Sequence, residues 1–187
     1  ALHGFVRKIG KVPVILQDGS PGFLVNAALA EYFREAETLY REGTPIERID
    51  QVMRERVFPI GPFEVADQAG VDVAAGMFDV IARTAPPPTP PLVTVLRDRG
   101  RFGVKSGGGF YDYSGTIKGA PWSDLPALAA PRGSRIAEAD EIVDRCVRSM
   151  YQKARDLQAR GSVASKEEGD LAFVYALGCA MYLGGPS

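Results

Sequence analysis

The chain has 187 residues, 45% of them apolar and 24% charged, a length and balance that bury one large core or two modest ones. Its formal net charge of -1, with acidic and basic residues interspersed, leaves no electrostatic footprint for nucleic acid or for an anionic membrane surface. Every long apolar stretch is broken by charge, Gly or Pro well short of about 18 residues and the start has no signal-peptide pattern, so the expectation is no membrane span and a cytoplasmic protein.

In chain order, residues 1–9 read as the end of a helix stopped by Gly10-Lys11. The run Val12-Pro13-Val14-Ile15-Leu16 reads as a single strand, either the severed edge of a larger α/β unit or an extended lead-in, since one strand makes no sheet. Ser20-Pro21 predicts a helix start, because a Ser hydroxyl caps exposed N–H groups and Pro is tolerated at the first helical position. From there Val25, Leu29, Tyr32, Ala36 and Leu39 recur at helical spacing until Gly43 stops the helix. Thr44-Pro45-Ile46-Glu47 has the capping-box pattern, and Ile46, Ile49, Met53 and Val57 give the buried stripe of a second helix. Pro62 opens a third helix that runs to Gly70, and Asp72 caps a fourth carrying Ala75, Phe78 and Ile81 or Ala82.

The five prolines within residues 85–91 predict an extended, solvated loop. A short helix with Leu92, Val95 and Leu96 reaches Gly100, and the triple glycine Gly107-Gly108-Gly109 predicts unusual backbone angles or a close main-chain approach. Residues 114–133, rich in Gly, Pro and Ala, are the best linker candidate. Beyond them Ile142, Cys146, Met150 or Ser149, Ala154 and Leu157 trace a long helix ending near Gly161. Ser165-Lys166-Glu167-Glu168 is a second capping box, opening a helix with Leu171, Val174 and Leu177. Cys146 and Cys179 lie in separate apolar patterns without ligand spacing and are expected to pack as small hydrophobes.

The two halves echo each other. Ala36, Leu39 and Gly43 precede one capping box and Asp50; Ala154, Leu157 and Gly161, at the same spacing, precede the other and Asp170. A duplicated helical unit would show this, its copies packed about a pseudo-twofold axis, although any two long-helix, short-helix hairpins share part of the pattern. No G-x-G-x-x-G follows an apolar strand near the start, so the usual dinucleotide fingerprint is missing.

The segments Gly10-Lys11-Val12-Pro13-Val14, Pro21-Gly22-Phe23-Leu24-Val25-Asn26, Glu35-Ala36, Glu42-Gly43 and Ile49-Asp50 resemble the C-terminal domain of 3-hydroxyacyl-CoA dehydrogenases in order and spacing. The resemblance continues through Phe58-Pro59-Ile60-Gly61-Pro62-Phe63 and Asp67-Gln68-Ala69-Gly70-Val71-Asp72. It closes with Gly103-Val104-Lys105-Ser106-Gly107-Gly108-Gly109-Phe110-Tyr111-Asp112-Tyr113. The second half, from Ile142-Val143-Asp144-Arg145 to Gly178 and Gly184-Gly185-Pro186, resembles the additional copy of that domain in the large subunit of fatty-acid oxidation complexes and in peroxisomal multifunctional enzymes. It departs from the family at Gln152-Lys153, where an Asn-Glu pair is common, so its expected role is packing and interface rather than chemistry.

The resemblance implies an all-α fold of two repeated helical units with a remnant helix and strand at the start. Residues 1–18 would be the edge of an NAD-binding domain, 19–113 the first unit, 114–133 a linker, and 134–187 the second, degenerate unit. It further implies a parent protein that oxidises (3S)-3-hydroxyacyl-CoA in β-oxidation. There NAD, a catalytic His and its carboxylate partner belong to a Rossmann domain missing from this chain, and the helical part closes over the acyl-CoA.

From the helical side the resemblance carries over one catalytic residue, Asn26, the Asn of a Gly-Phe-x-x-Asn motif. Its neutral amide can hold the substrate oxygen or orient the His without competing for the proton. Ala27 stands where the family commonly has Arg. His3 precedes Gly4-Phe5, lacks the context of the family's catalytic His, and is expected on the surface. Lys105 and the triple glycine either approach substrate or serve the loop's own geometry; Glu35, Glu64 and Asp67 are expected to cap helices or pair with Arg. Expected partners are the acyl-CoA, the Rossmann domain, and a second copy or a thiolase subunit. Two readings compete: a non-catalytic dimerisation or docking module, and a fragment of a short-chain 3-hydroxybutyryl-CoA dehydrogenase, against which the second copy argues.

Overall fold

The structure, a computed structural model, describes residues 2–17, 19, 21–83, 87, 89–129, 133–163 and 165–177. Its elements are α1 (Leu2–Lys8), α2 (Val25–Glu42), α3 (Ile46–Arg56), α4 (Pro62–Ala69), α5 (Val71–Ala82) and α6 (Leu92–Asp98). A hairpin of β1 (Tyr111–Ser114) and β2 (Ile117–Pro121) follows, then α7 (Leu125–Ala129), α8 (Ala139–Ala159) and α9 (Lys166–Leu177). The all-α expectation holds, with that antiparallel pair as the sole sheet among the described residues. No described helix is long and apolar enough to cross a membrane.

Several boundaries differ from expectation, each for a local reason. Residues 12–16 form no strand in this chain; Leu16 makes one antiparallel bridge to Val163. α2 starts at Val25 rather than Pro21, because Gly22 (φ 80°) and Phe23 (φ 53°) are left-handed and cannot enter a right-handed helix. Ser20, Cys179 and the glycines after α9 lie outside the described residues. Thr44 does not cap α3; its hydroxyl accepts instead from the Ala137 N–H, 2.9 Å away in the second half of the chain. Gly70, not Asp72, occupies the N-cap of α5. The segment expected as a linker is folded through β2 and α7. Ser165 does cap α9, with the Glu168 N–H donating to Ser165 Oγ at 3.2 Å.

α2 lies along α8 in the most extensive helix packing of the molecule. Ala28, Tyr32, Ala36 and Leu39 from one and Ile142, Cys146, Met150 and Ala154 from the other are buried in a single core. Both helices end alike. The Gly43 and Thr44 N–H groups bond back to Tyr40 and Leu39, and the Gly161 and Ser162 N–H groups bond back to Gln158 and Leu157 in the same pattern.

The strands of chain beside these ends are exchanged. Arg135 and Ala137, leading into α8, donate to Glu42 O and Thr44 Oγ1 behind α2, while Gln17, leading toward α2, donates to Ser162 O behind α8. α3 rests on α8 and α9 on α2. Such reciprocity is what a pseudo-twofold relation between two repeated units produces. The ion pairs are not reciprocal: Arg145 reaches Glu35 and Glu42 of α2 at 2.5 Å each. Position for position, the mates of Arg145 and Glu35 are Ala27 and Lys153. Ala27 and Lys153 cannot form the reciprocal pair.

Candidate active site

The left-handed turn at Gly22 and Phe23 delivers Asn26 to the first turn of α2 with its side chain exposed. Holding a Phe in that region costs roughly 1–2 kcal/mol, strain of the kind that persists where a turn aims a functional group. Asn26 lies on the wall of a groove of about 320 Å³. Leu29 and Phe33 continue the wall at helical spacing, Ile60 enters from the loop before α4, Met77 from α5 and Ala176 from α9. Every lining residue other than Asn26 is apolar or aromatic. No hydrogen bond to another described residue holds the Asn26 amide. The arrangement is an apolar channel with a single free amide, able to take a hydrocarbon chain and to donate to an oxygen beside it.

The other candidates sit elsewhere. His3 is exposed on α1. Glu35 is bound to Arg145, Glu64 lies between Arg54 (2.8 Å) and Lys118, and Lys105 donates to Asp72 at 2.5 Å. The triple glycine is filled by the protein itself. A side chain at Gly109 would occupy the Asp67 carboxylate, and one at Gly108 would meet the Arg101 guanidinium. A strand rather than a helix follows, so this loop offers no cradle for a dinucleotide phosphate.

Asp67 accepts the N–H groups of Phe110 (2.8 Å) and Tyr111 (3.0 Å) and the Tyr113 hydroxyl (3.1 Å). Asp50 on α3 accepts the Tyr111 hydroxyl (2.6 Å) and the Phe63 N–H (2.8 Å). This polar node escaped sequence reasoning, although a carboxylate on the buried stripe of α3 was a signal for it. Burial pushes Asp50 up to about 7 and Asp67 up to about 6, against hydrogen bonds that favour their charged forms.

Both carboxyls thus bind protons more tightly folded than unfolded, where an Asp titrates near about 3.9. The folded chain carries the extra protons in that window, so stability rises as pH falls through it. Melting temperature is expected to climb from a pH of about 8 to about 5.5, and Asp50→Asn with Asp67→Asn to flatten the slope. At lower pH the trend reverses, as Glu42, held down by Arg145, and Glu141, held down by Arg135, take up protons. A flat or falling wild-type profile in the upper range would contradict this account.

Residues 22–113 match the family model of the 3-hydroxyacyl-CoA dehydrogenase C-terminal domain. The chain is 34% identical to the fatty acid oxidation complex subunit alpha of Idiomarina loihiensis over 183 residues and to that of Shewanella baltica over 187. These alignments take 96% and 97% of this chain but 26% of each relative, so the chain spans about a quarter of their length. Among solved structures, 3-hydroxybutyryl-CoA dehydrogenase from Escherichia coli superposes with a TM-score of 0.75 over 99% of this chain and 55% of its own, at 20% identity. That likeness is one of fold, and it includes the second helical unit. (S)-3-hydroxybutyryl-CoA dehydrogenase from Ralstonia eutropha is 31% identical over 60% of this chain and 41% of its own, with a TM-score of 0.53. The strained turn, the free amide and the packed glycine loop all fall inside the matched segment, and over residues 22–113 the chain belongs to the 3-hydroxyacyl-CoA dehydrogenase C-terminal domain family.

Proposed function

We propose that this chain is the helical part of an NAD-dependent (3S)-3-hydroxyacyl-CoA dehydrogenase of fatty-acid β-oxidation, closing the acyl-CoA site. It divides into an N-terminal edge (1–18), a first dehydrogenase-type unit (19–113), a connecting segment (114–133) and a second, degenerate unit (134–187). The observation that carries the reading is Asn26, an exposed amide on the wall of an apolar groove in the family-matching segment. There the acyl chain occupies the groove, and the amide donates to the substrate's 3-oxygen as it changes from hydroxyl to carbonyl. An amide neither gains nor loses a proton near neutrality, so it leaves proton removal to a base on the other wall. NAD does not fit the residues present here and belongs to a Rossmann domain of the parent.

A docking role is favoured by one further observation and is compatible with the first. Val73 on the groove wall and Phe23 in the turn before α2 are 61% and 57% exposed, and Leu2 and Phe5 on α1 and Ile9 just after it are exposed apolar residues. These surfaces suit the missing Rossmann domain, with a second copy or a thiolase subunit as the other candidate partners. The test is direct: with NAD and 3-hydroxybutyryl-CoA, the full-length parent reduces NAD and the isolated chain does not. Reduction by the isolated chain at a dehydrogenase rate, or an inactive parent, would sink the assignment.

A further inference from the structure

The pseudo-twofold relates grooves as well as helices. Asn26, Leu29 and Phe33 on α2 have Asp144, Val147 and Tyr151 as their mates on α8, and those three line a second groove of about 440 Å³. Each groove receives one residue from the short helix of the other repeat: Arg56 of α3 joins the α8 groove and Ala176 of α9 joins the Asn26 groove. Counted from Ile46 and Lys166, the first residues of α3 and α9, these are equivalent positions. Three residues earlier in each helix, Met53 and Phe173 are fully buried anchors, so the two helices are seated alike.

The chemistry of the two grooves differs. In the α8 groove, Arg56 pairs with Asp140 and Arg148 with Asp144 at 2.6 Å, so charged side chains line the surface on which a hydrocarbon would have to lie. In the Asn26 groove the equivalent of that arginine is a methyl group, exposed at the rim, and the apolar wall stays open. On the reading that this groove takes the acyl chain, we propose that Ala176 is a specificity-determining residue, through which the second repeat keeps the first repeat's groove wide enough for long acyl chains. A 3-hydroxybutyryl group ends one carbon past the reacting centre and needs little of the groove. A 3-hydroxyhexadecanoyl group must lay its tail on apolar surface, each buried methylene favouring binding. Narrowing the rim therefore penalises the long substrate more than the short one.

The experiment compares kcat/KM for 3-hydroxyhexadecanoyl-CoA and 3-hydroxybutyryl-CoA in the full-length parent and its Ala176→Val, Ala176→Trp, Arg56→Ala and Asn26→Ala variants. The long-to-short ratio is expected to fall about tenfold or more with Trp and less with Val, mainly through KM of the long substrate. Arg56→Ala should leave the ratio alone. An unchanged ratio in both Ala176 variants, or equal loss on both substrates, overturns the proposal; the Val change is too small to disturb an exposed position by itself. If the ratio stays fixed while Asn26→Ala still slows both substrates, only this inference fails. If Asn26→Ala changes nothing, the functional reading beneath it fails.

Discussion

Replacing Asn26 by alanine in the full-length parent is expected to lower kcat by about 10²–10³-fold, the usual cost of removing one fixed donor to an oxygen whose charge changes in the transition state. KM should move less, because the contact strengthens as the carbonyl forms rather than on binding. The fold should survive: the side chain is exposed and holds no other described residue, so the isolated chain should melt within about 0.5 kcal/mol of wild type. Asn26→Asp is the sharper variant. It preserves shape but replaces donors with a negative charge facing the substrate oxygen, and should cost at least as much as alanine. The second repeat has an aspartate, Asp144, at the position equivalent to Asn26, in a groove lined by ion pairs. Steady-state kinetics decide; an unchanged kcat would remove Asn26 from the chemistry and leave only the docking role.

Much of the helical plan was legible because period and punctuation agree. The stripes of α2, α3 and α8 each end at a glycine or proline signal, and Ser165 caps α9 as its pattern requires. What was illegible depends on residues far apart in sequence. Thr44 looks like a local cap, yet a backbone N–H 93 residues away claims its hydroxyl. Asp50 and Tyr111 are 61 residues apart, and no spacing rule joins them. The β2 strand is almost wholly exposed and offers no alternation to read; Trp122 just beyond it is held by the Arg101 guanidinium 4.4 Å from its ring. Asn26 came from a motif, while its groove is assembled by α2, the loop before α4, α5 and α9, and only the fold brings these together.

Asp67→Ala is expected to destabilise the chain by roughly 3–5 kcal/mol, a large fraction of the few to fifteen that hold a domain together. The change strands two buried backbone N–H groups and one half-buried tyrosine hydroxyl, each buried unpaired group costing about 1–3 kcal/mol with partial relief from relaxation. Gly109→Ala should be comparably severe, because its methyl would have to displace that carboxylate. Asp67→Asn keeps one acceptor oxygen and should fall between these and wild type. Urea unfolding would read this order as successive drops in midpoint at constant slope. A loss below about 1 kcal/mol for Asp67→Ala would mean the node is not what pins the loop. The loop in turn pins the groove: the Phe102 carbonyl accepts the Val71 N–H at the start of α5, and Lys105 holds Asp72 in its first turn. Met77 lines the groove from that helix. Slackening the node therefore loosens one wall of the channel, and Asp67→Asn in the parent should raise KM for a long acyl-CoA before it lowers kcat.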